Sequence, residues 1–251
     1  MKLASGGRLH RFADAETVAR AAAAVFEQEA LAAIEARGIF RVLLSGGSTP
    51  KRLLEILAER VDRVAFAWSD VRFFFGDERS VGPESADSNY AMACAALLDA
   101  IPASQRRVER LRGEAPDLAA AAREYEERVA AEFDSAVGEA PPAFDLVFLG
   151  MGDDGHTASL FPGTAALGEG QRWFVENDVP QLATVRLTAT FALLGRARRI
   201  LFLVCGAGKR ARMAEITRRD REPSSFHPCE RVRTEGRLDW FVDEAALAAL
   251  A

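Results

Sequence analysis

Apolar residues recur along this chain in two rhythms. From residue 15 they return every three or four positions, with alanine dominant, and Asp14 stands where a helix cap belongs; the pattern predicts a helix to about Ala36, ended by Gly38. Elsewhere they form short, nearly continuous runs at 40–44, 71–75, 144–149 and 199–205, with weaker runs at 184–187 and 238–242, which predict strands. Helical spacing returns at 51–59, 88–98 and 116–137, from Lys209 to about Thr217, and briefly from Asp243. Pro50 suits a first helical turn, where its missing N–H is not needed. Strands without a polar face, alternating with helices, predict an α/β fold with a largely parallel sheet flanked by helices on both faces. No internal repeat or low-complexity linker interrupts this order, so residues 1–251 are expected to form a single domain.

Ligands of such sheets bind beyond the carboxyl ends of the strands. Four unusual runs fall at such ends. After the strand at 40–44 comes Ser45-Gly46-Gly47-Ser48-Thr49-Pro50, where glycines can turn N–H groups toward one point and a helix start adds partial positive charge. An ordinary βα turn with a Ser/Thr cap explains the same residues. The run is neither a Walker loop, lacking Gly-Lys-Ser/Thr, nor a dinucleotide fingerprint, lacking the three-glycine spacing. After 71–75 comes Gly76-Asp77-Glu78-Arg79, read as a charged loop in which Arg79 can grip phosphate oxygens. Asp77 and Glu78 would then orient arginine or bind sugar hydroxyls.

The third run, Gly150-Met151-Gly152-Asp153-Asp154-Gly155-His156, holds one of only three histidines. Histidine takes up a proton near neutral pH, and a neighbouring carboxylate such as Asp154 can fix its tautomer. A lone histidine is more often structural; the glycine-rich loop and the aspartates favour function here. Arg186, on a strand, and Lys209, following Gly206-Ala207-Gly208, are further candidate anion contacts, although each alone reads as a surface charge. His227-Pro228-Cys229 offers two metal-ligand types without partners, so no metal is expected.

Composition narrows this modestly. Hydrophobic residues at 49% and charged residues at 27% describe an ordinary globular chain. A net charge of −5 argues against a nucleic-acid partner, which calls for a basic surface, but leaves room for a small anionic substrate. Three well-separated cysteines form no disulfide framework, no apolar h-region follows the N-terminus, and no apolar run spans a bilayer. A soluble, cytoplasmic protein without a membrane partner is expected.

Taken in order, the runs resemble the 6-phosphogluconolactonase family. Residues 43–50 resemble its phosphate loop; Phe75-Gly76-Asp77-Glu78-Arg79 with Asp87-Ser88-Asn89-Tyr90 resembles a second signature. Gly150 to Pro162 resembles the most specific one, and Arg186-Leu187-Thr188, Gly206 with Lys209, and 240–246 fit the remainder. The resemblance covers about residue 40 to the C-terminus. It implies a modified Rossmann-type three-layer fold shared with glucosamine-6-phosphate deaminases, and hydrolysis of 6-phospho-D-glucono-1,5-lactone without metal or cofactor. It implies that His156 is the catalytic histidine, with Asp154 beside it. Ser45, Gly46, Gly47, Ser48, Thr49 and Arg79 would hold substrate, with Arg186 and Lys209 near the phosphate. Phe226-His227-Pro228-Cys229-Glu230 departs from the Leu-Pro-Ala-Ser-like run usual there, and no role carries over. Deaminases usually show Ile-Ala-Phe-Asn-Glu after the histidine, whereas Thr157-Ala158-Ser159-Leu160-Phe161 follows here, which favours the lactonase. A non-catalytic sugar-phosphate sensor would need an attached DNA-binding segment, for which the residues before the first helix are too few. A monomer or small homo-oligomer is expected.

Overall fold

The computed structural model describes residues 1–4, 6–218, 222 and 226–247. In chain order they run β1 (Arg8–Phe12), α1 (Ala15–Arg37), β2 (Phe40–Leu44), α2 (Ser48–Ala58), β3 (Val71–Phe75), β4 (Asp77–Arg79), α3 (Asn89–Ala96) and α4 (Leu118–Glu132). There follow β5 (Leu146–Leu149), β6 (Phe174–Val179), β7 (Thr184–Ala189), α5 (Phe191–Gly195), β8 (Arg199–Val204), α6 (Arg210–Ile216), α7 (Pro228–Arg231), β9 (Arg237–Asp243) and α8 (Glu244–Leu247). Six strands form one sheet in the order β1-β9-β8-β5-β2-β3, and every pairing in it is parallel. β5 and β8 are buried at every position. Because side chains alternate between faces, both faces of the sheet are covered, as the continuous apolar runs predict.

The local chemistry of the elements follows their sequence. The Asp14 carboxylate accepts from the Thr17 N–H at 2.8 Å, and Gly38 (φ 73°) ends α1 in the left-handed region that glycine tolerates best. The inward face of α1 is set by Val18, Ala22, Val25, Phe26 and Ala33, spaced at helical intervals. Phe26 meets Phe40 edge-on at 5.2 Å between centroids, and Phe202 stacks on Trp240 at 3.9 Å, tying strands and helix into one apolar interior.

Several expectations are corrected. Residues 77–79 form a strand rather than a loop: β4 pairs antiparallel with β7, and β7 with β6, in a second, three-stranded sheet. The run at 184–187, read as a strand, is one; it lies in this second sheet and extends to Ala189. Charged β4 and the polar positions of β6 hide their strand character, because pairing to β7 and partial exposure override propensity. β1, for which the apolar pattern predicts no element, is an edge strand whose charged residues mask its period. α2 begins at Ser48, capped by Gly47, with Pro50 in its first turn. The helix expected over 116–137 is shorter: Asp117 caps it through the Ala120 N–H, and a left-handed backbone at Asp134 (φ 49°) follows its end. No helix among the described residues is long and apolar enough to cross a membrane.

Candidate active site

β8, β5, β2 and β3 are neighbours in the parallel sheet, and the chain leaves each at its carboxyl end toward the same side. A cleft of about 290 Å³ lies there. It is lined by the Ser45 to Thr49 loop after β2, by Arg79 and Arg186 from the small sheet, by His156 after β5 and by Lys209 after β8. Sequence-predicted residues scattered over 165 positions thus meet in one cavity. Asp154 stands behind the cleft wall, against His156.

The loop after β5 is built around His156. Nδ1 lies 2.6 Å from Asp154 Oδ1, the same oxygen that accepts the His156 backbone N–H at 3.0 Å. An ionised carboxylate only accepts, so Nδ1 carries the proton and Nε2 keeps its lone pair. Burial pushes the Asp154 carboxyl up, but the His156 N–H and the imidazole outweigh it and hold the group below its ordinary value. Phe161 stacks on the face of the ring, 4.0 Å between centroids and 27° off parallel. Gly152 is required: a Cβ there would sit 2.1 Å from His156 Nδ1. Asp153, beside Asp154, takes a different partner, Lys209 Nζ at 2.6 Å. Asp154 alone of the two orients the histidine.

Arg79 and Arg186 are directly opposed across β4 and β7. Like charges in such a pair repel. Burial, together with the charge of Arg79, holds the Arg186 guanidinium below its ordinary value. The Arg186 Nε is buried without a hydrogen-bond partner, while Arg79 Nη1 donates to the Asp87 carbonyl. A multivalent oxyanion seated between the two guanidinia removes the repulsion and satisfies forked donors. The α2 start faces the same cleft. Gly47 (φ 111°) turns the backbone into the helix, and Gly46 packs so closely on Asn89 that a Cβ would meet its Oδ1 at 1.9 Å. The Ser45 hydroxyl, 5% exposed, is without a partner.

Two residues flagged from sequence have other roles. Glu78, 2% exposed, is absent from the cleft wall. Its carboxylate accepts from the N–H groups of Arg79, Asn89 and Tyr90 and from the Ser88 hydroxyl, joining β4 to the start of α3. Burial raises its pKa against these donors. His227 Nε2 lies 2.7 Å from Glu215 and 2.9 Å from Arg212, and the Cys229 N–H supports the Gly155 carbonyl at 3.0 Å. Among the described residues no group of three His, Cys, Asp or Glu side chains is arranged to hold a metal ion. Cys205 lines the cleft, but burial pushes its thiol up to about 11, away from thiolate chemistry. Sequence reasoning assigned no role to Phe161, Asn89 or Ser159; Phe161 stacks on a ring five residues back, while Asn89 and Ser159 act through neighbours distant in sequence, which no local spacing reveals.

The comparisons with known proteins agree with this arrangement. Residues 13–240 match the family model described as glucosamine-6-phosphate isomerases/6-phosphogluconolactonase. A relative from Synechocystis sp., named 6-phosphogluconolactonase, is 40% identical over 214 residues, covering 85% of this chain and 86% of the relative. Among solved structures, the devB protein superposes with a TM-score of 0.84 at 32% identity, over 97% of this chain and 99% of that one. The 6-phosphogluconolactonase of Trypanosoma brucei superposes with a TM-score of 0.81 at 27% identity, over 98% and 99% of the two chains. With the match running through nearly all the cleft-forming elements, the chain belongs to the glucosamine-6-phosphate isomerase/6-phosphogluconolactonase family.

Proposed function

We propose that this chain hydrolyses 6-phospho-D-glucono-1,5-lactone to 6-phospho-D-gluconate in the oxidative pentose phosphate pathway, acting as one domain on a small phosphorylated sugar. The observation that carries the reading is one cleft holding a carboxylate-oriented imidazole and an opposed arginine pair. Relatives named 6-phosphogluconolactonase support the substrate class.

In this reading Arg79 and Arg186 take the phosphoryl group, aided by the Ser45 to Thr49 loop. Binding energy from that remote group serves to place C1 against the base. His156 Nε2 accepts a proton from water as the water oxygen attacks C1, and the carbonyl electron pair moves to its oxygen. The tetrahedral centre then reforms the carbonyl and breaks the bond from C1 to the ring oxygen. The imidazolium returns its proton to that oxygen, which leaves as the C5 hydroxyl; the new carboxylic acid ionises to water. Asp154 holds the tautomer and stabilises the imidazolium between the two proton transfers.

A coupled assay with freshly generated lactone, corrected for spontaneous hydrolysis, tests the reading by comparing the wild type with His156→Ala and Arg79→Ala. The first variant is expected to lose kcat, and the second mainly to raise KM. A wild type that leaves the lactone untouched while releasing ammonia from glucosamine 6-phosphate would overturn the assignment.

A further inference from the structure

Residues 150–161 carry the base, while the sheet β4-β7-β6 carries the opposed arginines. A substrate whose phosphoryl group and C1 are joined by one sugar frame requires a set separation between these two units. They meet at Ser159. Its hydroxyl donates to Asp77 Oδ2 on β4 at 2.9 Å, and its N–H donates to Thr188 Oγ1 on β7 at 3.1 Å. Its carbonyl accepts from Asn177 Nδ2 on β6 at 2.8 Å. One residue is therefore bonded to all three strands. Among the described residues, the hydrogen bonds that join residues 150–161 to this sheet all pass through Ser159.

The surroundings make the joint stiff. Ser159, Asn177 and Thr188 are all buried, so water does not compete for these bonds. Ala158, just before, has φ 47°, a conformation that side chains disfavour and that persists only where the surroundings impose it. The joint also reaches the third part of the cleft: Asp77 Oδ1 and the Asp77 carbonyl accept from Asn89 Nδ2, and Asn89 lies against Gly46. We propose that Ser159 is a positioning residue that sets the distance from His156 to the Arg79–Arg186 pair, with Asp77 and Asn177 as its supports. This rests on the function proposed above. A buried serine that merely satisfied its neighbours would affect stability and nothing else.

The two roles separate in one experiment on the full chain. Ser159→Ala removes the bond to Asp77 and keeps both backbone bonds. The expected result is a fall in kcat of about 10- to 100-fold, the cost of misplacing a reacting group by roughly an ångström. Inhibition by inorganic phosphate, which reports the phosphate-binding groups without the base, is expected to stay within about threefold of wild type. Ser159→Cys keeps a donor, though a weaker one on a larger atom, and is expected to fall between the two. Wild-type kcat in Ser159→Ala overturns the proposal. So does a kcat loss that only tracks a lowered melting temperature and an equal loss of phosphate inhibition. An inactive wild type would instead sink the lactonase reading itself, and this proposal with it.

Discussion

At the scale of single residues, the proposed chemistry rests on how a short polar side chain two positions away holds an imidazole. Asp154 and His156 are close enough in sequence that one aspartate oxygen serves both the backbone N–H and the ring. Removing the ring should cost the full contribution of a positioned base: His156→Gln is expected to lower kcat by about 10²–10⁴-fold with little change in KM, read in the corrected lactone assay. Asp154→Asn leaves the ring but frees its tautomer, and a kcat loss of at least about tenfold is expected. The carboxyl is held below its ordinary value of 3.8 in the fold, so its stabilising contribution is present above that pH and is lost as pH falls through the lower, folded value. Thermal unfolding of wild type and Asp154→Asn should therefore differ at neutral pH and converge in acid, once the pH has fallen through the lowered value of the folded carboxyl.

At the scale of elements, the site depends on turns that leave no room for side chains and on a buried cap. Gly152→Ala would drive a methyl into the His156 ring, where the nearest atom lies 2.1 Å from an ideal Cβ. The loop must shift to relieve this, so activity should fall at least about 100-fold while the far-ultraviolet spectrum stays that of the wild type. Glu78 serves the second element boundary. Glu78→Ala strands the N–H groups of Asn89 and Tyr90, and a loss of about 2–4 kcal/mol is expected in chemical denaturation. Both boundaries were partly legible: the glycines and the charged run stood out, but the partner of each was not visible. Glu78 reads as a solvated or ligand-binding residue from sequence because nothing local says that the chain folds back over it.

At the scale of the whole molecule, a parallel sheet supplies the ends of strands and a small antiparallel sheet supplies a cationic wall. The wall is electrostatically uncomfortable without an anion, since two arginines face one another on neighbouring strands. Binding of 6-phosphogluconate to the folded state should raise the melting temperature, corresponding to about 2.7 kcal/mol at a hundredfold excess over Kd. The stabilisation should shrink with added sodium chloride and largely vanish in Arg186→Ala, as differential scanning fluorimetry would record.

What the sequence determined by itself was the set of strongly periodic elements and most of the candidate residues that the cleft gathers. A 23-residue helix with its cap, strands buried on both faces, and glycine loops at strand ends are written in local spacing, because backbone preference and burial act along the chain. The tertiary structure alone decided which of these residues cooperate. It divided the strands between two sheets, set Arg79 against Arg186, gave Asp153 to Lys209 and Asp154 to His156, and placed Ser159 between base and cationic wall. Those outcomes depend on pairing and desolvation between segments tens of residues apart, and such energies have no local signature.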